Sequence, residues 1–112
     1  MTTENNPKNR RALHDRDRRG ILIPAGELDD SGLKIGDRFM LKKGQRDLFT
    51  VTLVKHETGD IFFDRSGIFI ERTRRVDILL GGIFDEYQVE IVDADPPLLF
   101  IKTMDPGLAA IR

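Results

Sequence analysis

Short apolar runs with a period of two dominate this chain. Phe49, Val51 and Leu53 alternate with Thr50 and Thr52, and Tyr87, Val89 and Ile91 alternate with Gln88 and Glu90. That spacing predicts strands with one face in a core. Two further strands are expected at Gly20-Ile21-Leu22-Ile23 and Gly67-Ile68-Phe69-Ile70. Each of these leads into a segment read as a short helix or turn and closed by glycine, at Gly32 and at Gly81-Gly82. Lys43-Gly44-Gln45-Arg46-Asp47 and Asp93-Ala94-Asp95-Pro96-Pro97 carry residues that bend backbone cheaply, so both halves are expected to end as hairpins.

The two halves echo each other. Asp17-Arg18-Arg19-Gly20-Ile21-Leu22-Ile23 returns 47 residues later as Asp64-Arg65-Ser66-Gly67-Ile68-Phe69-Ile70, with five of seven positions identical. A coincidental turn before a common strand composition competes with a true duplication, but the glycine-ended segment after each copy favours duplication. One copy alone cannot bury both faces of its strands. The expectation is therefore a mainly β fold, a small pseudo-twofold β-barrel of two β-(short helix)-β-β repeats. Residues 1–15 read as a flexible basic arm, 16–104 as a single barrel domain with repeats over 17–55 and 64–103, and 105–112 as a C-terminal tail.

Composition narrows the function classes. With 112 residues the chain suits one domain, and with no Cys it has no disulfide framework, thiolate zinc site or cysteine nucleophile. No apolar run approaches the about 20 residues of a membrane span. Residues 1–20 offer only Met1, Ala12 and Leu13 as apolar side chains, unlike a signal peptide. The expected location is the cytoplasm, away from any membrane. His14 falls in the arm and His56 in a loop, with no His-Glu-x-x-His pattern, no phosphate-cradling glycine loop and no carboxylate that stands out as a base. The chain reads as a non-enzyme that needs no cofactor or metal.

Charge is uneven. Residues 1–19 carry six basic side chains against three acidic ones, whereas the whole chain sums to −1, leaving −4 for the remainder. Asp85, Glu86, Glu90, Asp93 and Asp95 fall in one stretch without a basic residue. An arginine-rich arm can track phosphates, or it can be a solvated tail.

Gly20-Ile21-Leu22-Ile23-Pro24, Glu27-Leu28 and Gly32-Leu33-Lys34-Ile35-Gly36-Asp37-Arg38 resemble the AbrB/SpoVT/MazE swapped-hairpin family, over about residues 15–55. In that family two modules interleave hairpins into one barrel, and arginines near the first strand and the short helix contact DNA. The resemblance implies a DNA-binding regulator or antitoxin-like protein, with tandem modules in one chain, acting as a homodimer. The candidate contacts to double-stranded DNA are Arg10, Arg11, Arg16, Arg18, Arg19, Arg65, Arg72, Arg74 and Arg75. Asp29 and Asp30 stand where DNA-binding members are often basic, and Glu71 replaces the proline in the second half. Asp29, Asp30 and the acidic stretch over 85–95 support the alternative, a non-enzymatic protein-interaction or scaffold domain that kept the barrel and lost DNA binding. For Arg18 and Arg65 a local pairing with Asp17 and Asp64 explains the repeated dipeptide without a ligand, and Arg72, Arg74 and Arg75 read equally as one solvated helix face.

Overall fold

The computed structural model describes residues 10–42 and 49–103. The arm before residue 10, the turn at Lys43–Asp47 and the expected tail lie outside the described residues. Eight antiparallel strands form a closed barrel: β1 (Arg10–Asp15), β2 (Gly20–Pro24), β3 (Arg38–Leu41), β4 (Thr50–Lys55), β5 (Ile61–Asp64), β6 (Gly67–Glu71), β7 (Glu86–Val92) and β8 (Leu98–Thr103). Closure leaves no unpaired edge among them. A 3-10 turn, Ala25–Leu28, follows β2, and helix α1, Arg74–Leu80, follows β6. No helix among the described residues is long and apolar enough to cross a membrane.

Around the barrel the order is β1-β2-β6-β5-β3-β4-β8-β7. Hairpins of the first half (β1–β2, β3–β4) therefore alternate with hairpins of the second (β5–β6, β7–β8), and the repeats interleave. Two ladders join equivalent strands. In β2–β6 the central pair is Leu22 with Phe69, and in β4–β8 it is Thr52 with Phe100. A pseudo-twofold axis runs between these two pairs.

Each half holds one strand more than its sequence pattern suggested. The expected arm is a strand from Arg10 onward, paired with both β2 and β7. Only Ala12 of this strand is buried, so the polar residues around it concealed the alternation. The barrel consequently spans Arg10–Thr103, and the repeats are β-β-helix-β-β.

The inward face of every strand supplies the core: Ala12, Ile21, Ile23, Phe39, Val51, Leu53, Phe63, Ile68, Ile70, Tyr87, Val89, Leu99 and Ile101. Each large side chain buried this way contributes about 1.5–3 kcal/mol relative to exposure. Phe39 and Tyr87 sit at equivalent places in β3 and β7 and are both fully buried. Tyr87 differs by its hydroxyl, which accepts a hydrogen bond from the Phe84 N–H at 2.9 Å. Burial pushes its ionisation up from the usual tyrosine value. β4 departs from simple alternation, because Thr50 and Thr52 are buried along with Val51 and Leu53 while Phe49 is exposed. α1 packs against this strand.

α1 ends at the expected glycine stop and begins at a Thr73 cap. The Thr73 hydroxyl accepts from the Val76 N–H at 3.2 Å, and Gly81 closes the helix at φ 78° in the left-handed region. The Gly82 N–H donates to Asp77 O at 3.0 Å, completing the stop. The Thr103 hydroxyl, at the end of β8, donates to Leu80 O at 2.6 Å and ties the helix to the barrel.

Candidate nucleic-acid interface

The candidate arginines divide between the two ends of the β2–β6 ladder. Gly20 pairs with Glu71 at one end and Pro24 with Gly67 at the other. The β1–β2 turn, carrying Arg16, Arg18 and Arg19, lies at the first end. Arg72, Arg74 and Arg75 join it there, because β6 ends at Glu71 and the Arg72 N–H donates to Arg19 O at 3.0 Å. Arg65 occupies the opposite end, where Ser66 O accepts from the Ala25 N–H at 3.0 Å. Six candidates thus share the α1 rim, and Arg65 stands apart beside the 3-10 turn.

Arg10 and Arg11 belong to strand β1. The Arg10 guanidinium donates to the backbone carbonyls of Glu27 and Asp29, holding the end of the 3-10 turn. Arg11 donates through its N–H to Glu27 Oε1 at 2.9 Å and pairs with Glu86 at 3.3 Å.

The repeated Asp-Arg dipeptide does not occupy equivalent places. Asp15 is the residue opposite Gly20, and Asp64 is the residue opposite Gly67. The first turn, 16–19, is therefore two residues longer than the second, 65–66. Arg18 pairs with Asp15, not Asp17, at 2.9 Å, and that hydrogen bond chiefly holds the Asp15 carboxyl below its ordinary value. Asp64 is lowered by Ser66 instead, whose hydroxyl donates at 2.7 Å and whose N–H donates at 2.9 Å. The local pairing expected for Arg65 does not form. The two glycines differ as well. A Cβ on Gly20 would lie 2.2 Å from the Phe69 ring, whereas Gly67 has φ +130° and a Cβ there would lie 1.9 Å from Ile23 O.

On the outer face Leu13, Leu22 and Phe69 are paired in a row across β1, β2 and β6, and Phe62 is exposed on neighbouring β5. Two arginines cover these rings. Arg18 lies 4.5 Å over Phe69 and Arg38 lies 4.7 Å over Phe62. Arg38 is further fixed by donating Nε–H to Gly59 O at 2.7 Å.

Carboxylates reach part of the α1 rim. Besides Asp15, Asp85 lies 3.9 Å from Arg16, and Asp77 lies 3.2 Å from Arg72. Asp85 and Glu86 are therefore on the arginine side, while Glu90 pairs with Lys102 at 2.7 Å. Among the described residues, the exposed Arg19, Arg74 and Arg75 make no side-chain ion pair or hydrogen bond. Arg19 is held at φ 56°, a left-handed conformation uncommon for a side-chain-bearing residue. The opposite rim carries the exposed Asp29, Asp30 and Asp64.

His14 emerges as part of this rim although its sequence position suggested a tail. Its Nε2 lies 3.2 Å from Arg72 Nη1. His56, by contrast, sits in a loop where Nδ1 meets the Thr58 N–H at 3.1 Å and the Thr58 hydroxyl at 2.8 Å. It lines an open cleft of about 630 Å³ with Asp37, Arg38, Lys55 and Glu57, in which Lys55 and Asp37 pair at 3.4 Å. No cluster of three His, Asp or Glu side chains suited to a metal ion occurs among the described residues.

These features define a closed, pseudo-symmetric antiparallel barrel with an arginine-bearing rim. No family model, curated protein or solved structure gives a significant match to the chain.

Proposed function

We propose that this chain is a cytoplasmic DNA-binding regulator or antitoxin-like protein of the AbrB/SpoVT/MazE swapped-hairpin type, with both modules in one chain. The observation that carries this reading is the α1 rim, where Arg19, Arg74 and Arg75 are exposed and uncommitted among the described residues. Unpaired guanidiniums on neighbouring elements suit adjacent backbone phosphates of a duplex, since each contact releases counterions. Alternation of hairpins from the two halves supports the family reading, as does the Ile23-Pro24 strand exit leading to Gly36-Asp37. The acting form is a homodimer, which presents two such rims, and sedimentation of the full chain tests that state.

Titrating salt against binding to a random-sequence duplex tests the function. Three or more phosphate contacts predict a slope of log K against log salt of about −3 or steeper. No binding at low ionic strength would falsify the reading.

The opposite rim favours a second reading. Asp29, Asp30 and Asp64 there suit a basic protein partner better than nucleic acid. Such an interaction domain would capture a basic partner and ignore duplex DNA.

A further inference from the structure

Within the α1 rim one arginine differs from the others in how firmly it is held. Arg72 donates Nε–H to the Asp77 carboxylate at 3.2 Å, and its Nη1 lies 3.2 Å from His14 Nε2. A guanidinium has only donors, so His14 must accept through Nε2 and carry its proton on Nδ1. Its two partners come from different elements, β1 and α1, and its own backbone N–H is fixed to Arg19 O. The side chain remains 27% exposed, which leaves it partly desolvated yet reachable. Nη2 has no partner among the described residues.

We infer that Arg72 is a preoriented seat for one backbone phosphate of a duplex, with His14 and Asp77 as positioning residues. This inference rests on the DNA-binding reading and deepens it. Arg19, Arg74 and Arg75 supply the uncompensated positive charge that attracts a phosphate, because Asp77 already offsets the charge of Arg72. Arg72 supplies geometry. A planar fork held at Nε and Nη1 leaves the Nη2 N–H groups to a phosphate oxygen, and a side chain already held in place forgoes little entropy on meeting it. Its recessed position suits a phosphate that comes to rest on the rim, as opposed to a base edge deep in a groove.

The test uses the full chain with a random-sequence duplex across a salt series. Replacing Arg72→Ala should reduce the magnitude of the salt slope by about 1. Arg72→Lys keeps the charge and the slope but weakens binding about tenfold at fixed salt, because the fork is lost. His14→Ala should weaken binding several-fold with the slope unchanged, and His14→Gln, which retains an acceptor, should restore it. The Arg72 Nε–H resonance of the wild-type protein should shift on adding duplex, a readout that mere folding support by Arg72 would leave still. If Arg72→Lys binds like wild type and that resonance does not move, the seat is ruled out, even where Arg19→Ala and Arg74→Ala still lower the slope and uphold the rim. Movement of the resonance by inorganic phosphate but not by duplex would overturn the duplex assignment. Absence of duplex binding at every salt concentration removes the rim reading and the seat together.

Discussion

The two ends of the β2–β6 ladder are related by the pseudo-twofold axis yet carry opposite chemistry. At the α1 end a four-residue turn and a capped helix gather six arginines, and Arg19, Arg74 and Arg75 among them have no partner among the described residues. At the other end a two-residue turn and a 3-10 turn carry Arg65 and the exposed Asp29, Asp30 and Asp64, with the Arg10 guanidinium on the Asp29 carbonyl. The duplicated core keeps one set of constraints, inward Ile at Ile21, Ile23, Ile68 and Ile70, to which the rim elements add Leu28, Val76 and Leu80, while the exposed rim side chains differ. Symmetry of fold therefore does not carry symmetry of surface chemistry.

The two echoed glycines offer the largest test of that divergence. At Gly67 a methyl group would collide with the backbone oxygen of Ile23 at a φ that side chains rarely adopt, so Gly67→Ala should destabilise by about 3 kcal/mol. At Gly20 the closest atoms belong to the Phe69 ring, which can move, although Ile70 O at 2.6 Å limits the relief. Gly20→Ala should cost roughly 1–2 kcal/mol. Denaturant midpoints of the two variants check the order, and equal losses would mean that the glycines serve one shared purpose.

Much of the barrel was legible in the sequence because its cause is local. Alternation placed Ile21, Ile23, Val51, Leu53, Tyr87 and Val89 in the core, and Gly81-Gly82 marked the helix stop. β1 was illegible for a physical reason: a strand whose only buried residue is Ala12 contributes almost no apolar signal, and its charges suggested solvent. The candidate site was half legible. Arginine clusters are visible in a sequence, but which of them are neutralised depends on contacts such as Asp85 with Arg16 and Asp77 with Arg72, set by register and helix placement. The Asp-Arg repeat misled because turn length differs by two residues between hairpins, which brings Asp15 opposite Gly20 and moves Asp17 off that position.

Binding should follow the same division of ends. The double replacement Arg74→Ala with Arg75→Ala should lower the magnitude of the duplex salt slope by about 2, whereas Arg65→Ala on the acidic rim should leave it unchanged. An equal effect from both would erase the functional distinction between the ends. The helix that presents Arg74 and Arg75 depends on its cap. Thr73→Ala, which leaves the Val76 N–H without its 3.2 Å acceptor, should cost about 1 kcal/mol by thermal or denaturant unfolding.

The smallest effect lies in the two turn carboxylates, and it separates the ends by mechanism. Asp15 and Asp64 are both held below the ordinary value of 3.8 in the folded chain. Because the folded values are depressed, each contributes stability that is fully present above the unfolded value and is lost as pH falls through the folded one. Asp15 is held chiefly by a charged donor, the Arg18 guanidinium, and Asp64 by the neutral Ser66 hydroxyl and backbone N–H. At 1 M salt, where screening acts within about 3 Å, the exposed Asp15–Arg18 pair should weaken while the Asp64 turn is nearly unaffected. Carboxyl titration by NMR at low and high salt reads this directly: the Asp15 value should rise toward 3.8 and the Asp64 value should stay low. A parallel rise of both would show that charge, and not the local donor, governs each turn.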